Sequence, residues 1–124
     1  MSLAMKHDPD LEQRCLETLQ RLSYTEFLTP STILSAFCKA SDITKEQILN
    51  TGRPDDVSLV RHFFYFALHR FLNISQNHIG RTYHKDHTTI MYACNKIRSL
   101  FEDYVSREPL LSPPISGSSV YAAV

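Results

Sequence analysis

The chain has 124 residues, 43% hydrophobic and 21% charged, with thirteen Lys and Arg against thirteen Asp and Glu. That length supports one modest core and no second catalytic domain, and a net charge of zero argues against indiscriminate nucleic-acid binding. No apolar run reaches the roughly twenty residues of a bilayer span, MSLAMKHDPD lacks a secretory hydrophobic region, and Cys15, Cys38 and Cys94 have no CxxC spacing, so a cytoplasmic, reduced setting is expected.

In chain order, residues 10–22, DLEQRCLETLQRL, place Leu11, Cys15, Leu19 and Leu22 on one helical face and charges on the other. SYTEFLTPS follows. Pro30 interrupts its periodicity, and Ser31 is expected to cap STILSAFCKAS, whose Ile33, Leu34, Phe37 and Cys38 form the next apolar stripe. Thr44 opens the short TKEQILN helix, with Glu46 and Gln47 near enough for a partial capping arrangement, and Gly52 marks its stop. VSLVRHFFYFALHRF is predicted as the central core helix. Its aromatic residues at helical spacing read as core rather than as a cofactor box.

Ser75 then caps SQNHIGRT, which carries Ile79 inward and a Gly80 that permits close approach of the next helix. That next helix is the longest. Asp86 is expected to cap it through the amides of Thr88 and Thr89, and Ile90, Ala93/Cys94, Ile97, Leu100/Phe101 and Tyr104 keep one face apolar. The opposite face offers His87, Thr88, Met91, Tyr92 and Asn95, chemistry suited to base edges in a major groove. This predicts a helix-turn-helix. The expected core is Leu34, Phe37, Val60, Phe63, Phe64, Ala67, Leu68, Ile79, Ile90, Ala93, Ile97 and Leu100.

Charge is unevenly spread: residues 53–98 hold seven Lys and Arg against three Asp, and five of the six histidines. Protonation of His62, His69, His78, His84 or His87 is expected to strengthen DNA binding as pH falls toward about 6. Residues 106–124, rich in Pro, Ser and Gly, read as a disordered tail.

The stretch IGRTYHKDHTTIMYACNKI resembles the signature of the DNA-box-binding C-terminal domain of the bacterial replication initiator family DnaA. The family pattern runs isoleucine-glycine, a short aromatic loop, a basic residue, Asp-His-Thr/Ser-Thr-Val/Ile and Ala-Cys-x-Lys-Ile. The resemblance spans about residues 30–105. It implies an all-α, Trp-repressor-like domain of five or six helices; residues 1–29, read above as an amphipathic helix and linker, lie outside the resemblance. It also implies base contacts from Asp86, His87, Thr88 and Thr89, and a minor-groove contact from Arg53. Lys85, Arg61, His62 and Lys96 match its phosphate-facing positions, although a solvated charge explains Lys96 equally well. The implied target is duplex DNA carrying a TTATCCACA-like box.

This chain departs from the pattern in three places, one being that Leu72 and His69 replace polar or basic residues in the family's contacts. The turn reads Tyr83-His84-Lys85, one residue shorter, and a loop usually rich in Lys and Arg reads Gly52-Arg53-Pro54-Asp55-Asp56. Added carboxylates repel a phosphate backbone and predict weaker, more salt-sensitive binding. No GK[ST] phosphate loop is present, so no nucleotide is expected. His84, Asp86 and His87 are better explained as DNA-facing groups than as metal ligands, Cys94 as an inert core thiol, and no Ser, His and Asp spacing selects a triad. The expectation is therefore a DNA-binding protein that is not an enzyme, without metal or cofactor, acting in replication initiation control or transcription. The alternative is a protein-interaction module that keeps the fold, with the N-terminal helix as a candidate face for a protein partner.

Overall fold

The computed structural model describes residues 9–50 and 55–107, which form six α-helices and, among the described residues, no strand. They are α1 (Pro9–Leu22), α2 (Pro30–Ser41), α3 (Lys45–Leu49), α4 (Asp55–Leu72), α5 (Gln76–Tyr83) and α6 (His87–Arg107). The expected all-α architecture is what is observed. Arg53, Gly52 and residues 108–124 lie outside the described residues.

The caps follow from local chemistry, with one correction. Thr29 rather than Ser31 caps α2: its hydroxyl accepts from the Thr32 amide at 3.1 Å, the Thr32 hydroxyl accepts from the Thr29 amide at 2.9 Å, and Pro30 occupies the first turn. A proline there starts a helix because the first-turn amides lack intrahelical acceptors anyway. Thr44 and Gln47 make the same reciprocal box on α3. Ser75 caps α5 by accepting from the His78 amide at 3.1 Å.

α4 is the axis of the core. Val60, Phe63, Phe64 and Ala67 are fully buried, and Tyr65, Phe66 and Leu68 nearly so. Burial on several sides of one helix means that neighbours surround it: α2, α3, α5 and α6 all pack against it, and α1 does as well. Rings fill the interior, with Phe37 against Phe63 at 6.0 Å, Phe64 against Tyr83 at 5.4 Å and Phe66 against Phe101 at 6.2 Å. Of the twelve residues expected in the core, eleven are buried. Leu100 is half-buried, and Phe101 takes the inward position beside it. The apolar face of α1 enters the same core through Leu11, Cys15, Leu16, Leu19 and Leu22. The Arg14 guanidinium also donates to the Ala40 carbonyl at 2.8 Å, tying α1 to the end of α2.

Candidate nucleic-acid interface

The helix pair α5–α6 is joined by only His84, Lys85 and Asp86. His84 takes a left-handed conformation (φ 58°), and the Lys85 amide donates to the Gly80 carbonyl at 2.8 Å, closing α5 and reversing the chain in three residues. Gly80 is required by this closure. A Cβ there would lie 2.8 Å from the Lys85 carbonyl oxygen, a backbone atom with no rotamer to move it, and 3.8 Å from Ile90 Cγ1. This short turn is thus held by a non-glycine left-handed residue and a tight glycine contact.

At the start of α6 the Asp86 backbone carbonyl accepts from the Thr89 and Ile90 amides at 3.0 and 3.2 Å. The Asp86 carboxylate does not cap the Thr88 and Thr89 amides, contrary to the sequence expectation. It accepts instead from the Thr88 hydroxyl at 2.6 Å, which fixes the Thr88 side chain on the first turn. His87, Thr88 and Thr89 are all exposed, as are Met91, Tyr92, Asn95 and Lys96, while Ile90, Ala93, Cys94 and Ile97 point into the core. One face of α6 therefore anchors the helix and the other presents imidazole, hydroxyl, thioether, phenol, amide and ammonium groups to solvent.

The basic positions divide. Lys85 is half-buried beside Arg61. Burial, and secondarily the Arg61 charge, pulls its ammonium below the ordinary lysine value. Arg61 is 7% exposed, and its guanidinium donates to the carbonyls of Ile48 at 2.6 Å and Gln47 at 3.1 Å. It thereby completes the C-terminal end of α3, whose carbonyls have no intrahelical partner. Sequence separations of 13 and 14 residues gave no local signal for this role.

His62 behaves differently from the expected phosphate-facing imidazolium. Its Nδ1 is buried without a hydrogen-bond partner, and its ring stands edge-on to Tyr92 at 5.9 Å. Burial first, then the charges of Lys96 and Arg61, lowers its pKa from 6.5 to about 4. His62 is therefore neutral at pH 6, which removes it from the histidines expected to strengthen binding there. His62 and Lys96 line one cleft of about 380 Å³ with Glu12, Asp55, Ser58 and Leu59. Asp55 thus lies in the same cleft as two of the sequence-predicted basic positions.

Two of the three thiols, Cys15 and Cys94, are inert by environment. Cys94 is fully buried with its Sγ 4.0 Å from the Tyr65 carbonyl, and burial raises its pKa; Cys15 is raised to about 12 for the same reason. Among the described residues no helix is long and apolar enough to cross a membrane.

A family model described as bacterial dnaA protein helix-turn-helix matches residues 30–97. The chain is 32% identical over 85 residues to the chromosomal replication initiator protein DnaA of Synechocystis sp., covering 67% of this chain and 19% of that protein. It is 30% identical over 90 residues to the protein of that name from Synechococcus sp., covering 68% of this chain and 19% of the relative. With the one from Bifidobacterium animalis subsp. lactis it shares 28% over 102 residues, or 81% of this chain and 18% of the relative. The chain thus spans about a fifth of the length of these relatives. No solved structure matches.

Proposed function

Because the chain belongs to the bacterial DnaA protein helix-turn-helix family, we propose that it binds duplex DNA sequence-specifically by inserting the first turns of α6 into the major groove. The observation that carries this reading is the first turn of α6. Asp86, His87, Thr88 and Thr89 are exposed, polar and held by a short closed turn, with Thr88 fixed on Asp86. Rigid donors and acceptors at a helix N-terminus suit base edges and phosphates.

In this reading His87, Thr88, Thr89 and Asp86 read bases, Lys85 and Lys96 hold phosphates, and Arg53 enters the minor groove. Arg61 anchors α3, because two of its five donors go to the carbonyls of Ile48 and Gln47 from a buried position, which leaves Lys85 and Lys96 as the phosphate contacts of this reading. The site is a TTATCCACA-like box, and the role is control of replication initiation or transcription in a bacterial cytoplasm. Anisotropy titrations on box and scrambled duplexes at two salt concentrations test it. A box preference that survives higher salt is the expected result, since direct readout does not depend on counterion release. Equal, salt-labile binding to both duplexes would refute sequence-specific readout.

A second reading rests on Phe27, 92% exposed, and Tyr24, 53% exposed, in the α1–α2 loop. Aromatic side chains left in solvent suit a protein contact. Absence of any duplex binding would favour that interaction-module reading.

A further inference from the structure

We propose that the cleft between the C-terminal turns of α4 and the middle of α6 is an anion site that holds a phosphate group between Arg70 and Arg98. Phe66, His69, Arg70, Asn73 and Arg98 line its volume of about 260 Å³, and no carboxylate is among them. Arg70 lies over the Phe66 ring, its guanidinium carbon 5.9 Å from the ring centre, so its planar fork is oriented by a buried side chain. Among the described residues neither Arg70 nor Arg98 forms an ion pair or hydrogen bond, and Glu102, one turn beyond Arg98 on α6, makes no ion pair with it.

The remaining wall is fixed by its own hydrogen bonds. His69 Nδ1 lies 2.8 Å from the Ile74 carbonyl, which can only accept, so Nδ1 carries the proton. The Ile74 amide returns to the Leu68 carbonyl at 3.4 Å, and Asn73 between them is left-handed (φ 58°). This closed loop holds the imidazole and the Asn73 backbone at the rim. Two guanidinium groups sharing one cleft repel each other until an anion enters, and a guanidinium fork matches phosphate oxygens in pairs.

Two sources could supply the group: a backbone phosphate of bound duplex, or a free polyphosphate. The favoured source is the duplex, because Asn73 and Ile74 lead directly into Ser75 and α5, and the first helix of a helix-turn-helix crosses the DNA backbone. That assignment rests on the proposed DNA-binding reading. The anion site itself does not.

The test uses the 124-residue chain, its Arg70→Gln, Arg98→Gln and double variants, and Arg98→Lys, with circular-dichroism melting to establish that each is folded. Probes are the box and scrambled duplexes by anisotropy, and inorganic tripolyphosphate by calorimetry. For a backbone phosphate, each Gln variant weakens both duplexes alike by roughly fivefold and lowers the salt slope by about 0.9, the box-to-scrambled ratio stays constant, and Arg98→Lys restores the slope. For a free polyphosphate, the Gln variants lose tripolyphosphate binding while duplex titrations match wild type. If wild type binds tripolyphosphate through these arginines and binds no duplex, the DNA reading fails and the anion site stands. A double variant indistinguishable from wild type on every probe, or a wild type that binds none, overturns the site.

Discussion

At the scale of single residues, two basic positions have roles that their sequence neighbours do not announce. Arg61 serves the carbonyls of Ile48 and Gln47 from a buried position. Arg61→Met is expected to destabilise the fold by about 2–4 kcal/mol in urea unfolding, because buried acceptors lose a charged donor. The salt slope of DNA binding should stay unchanged, and a fall by about one would return Arg61 to the phosphate contacts. His62 links folding to pH. Its folded pKa of about 4 lies below its ordinary 6.5, so the unfolded chain binds the extra proton between those values. Its contribution is complete above about pH 6.5 and is lost as pH falls toward about 4. Since the ring is only half-buried, the loss is on the order of 1 kcal/mol after solvent screening. Stability curves of wild type and His62→Phe from pH 7.5 to 4 should diverge in that window, and parallel curves would place the imidazole outside the linkage.

At the scale of elements, the short α5–α6 turn decides how the exposed face of α6 is presented. Gly80→Ala should cost about 1–3 kcal/mol despite the better helix propensity of alanine, because the Lys85 carbonyl sits 2.8 Å from the new Cβ and cannot rotate away. Thermal unfolding that finds Gly80→Ala as stable as wild type would contradict this closure. The Thr88 hydroxyl on Asp86 makes a related prediction for readout. His87→Ala or Thr88→Ala should reduce preference for the box by about 1–3 kcal/mol, whereas Lys85→Ala should weaken box and scrambled duplexes alike. Equal losses on both duplexes for all three variants would dissolve the division between base and phosphate contacts. The caps were largely legible: Thr44 and Ser75 are where short-range patterns place them. Thr29 displaced Ser31 because a proline tolerated in the first helical turn moves the cap back two residues.

At the scale of the whole molecule, α1 packs against α2, α4 and α6 in one common core. Leu19 is fully buried where α1 meets that core, and Leu19→Ala should cost about 2–5 kcal/mol in urea unfolding. A near-neutral result would separate α1 from the domain. Helical periodicity, caps and turn residues act over a few neighbours, so the six helices of the described residues, eleven of twelve expected core positions and the polar first turn of α6 are legible in the residue order. Packing in space, by contrast, turns Arg61 to carbonyls, gives the Asp86 carboxylate a hydroxyl, buries the His62 Nδ1 and brings Arg70 and Arg98 to one cleft. Those outcomes depend on burial and on charges brought together from distant positions, and desolvation and Coulomb interactions follow distance in space rather than distance along the chain.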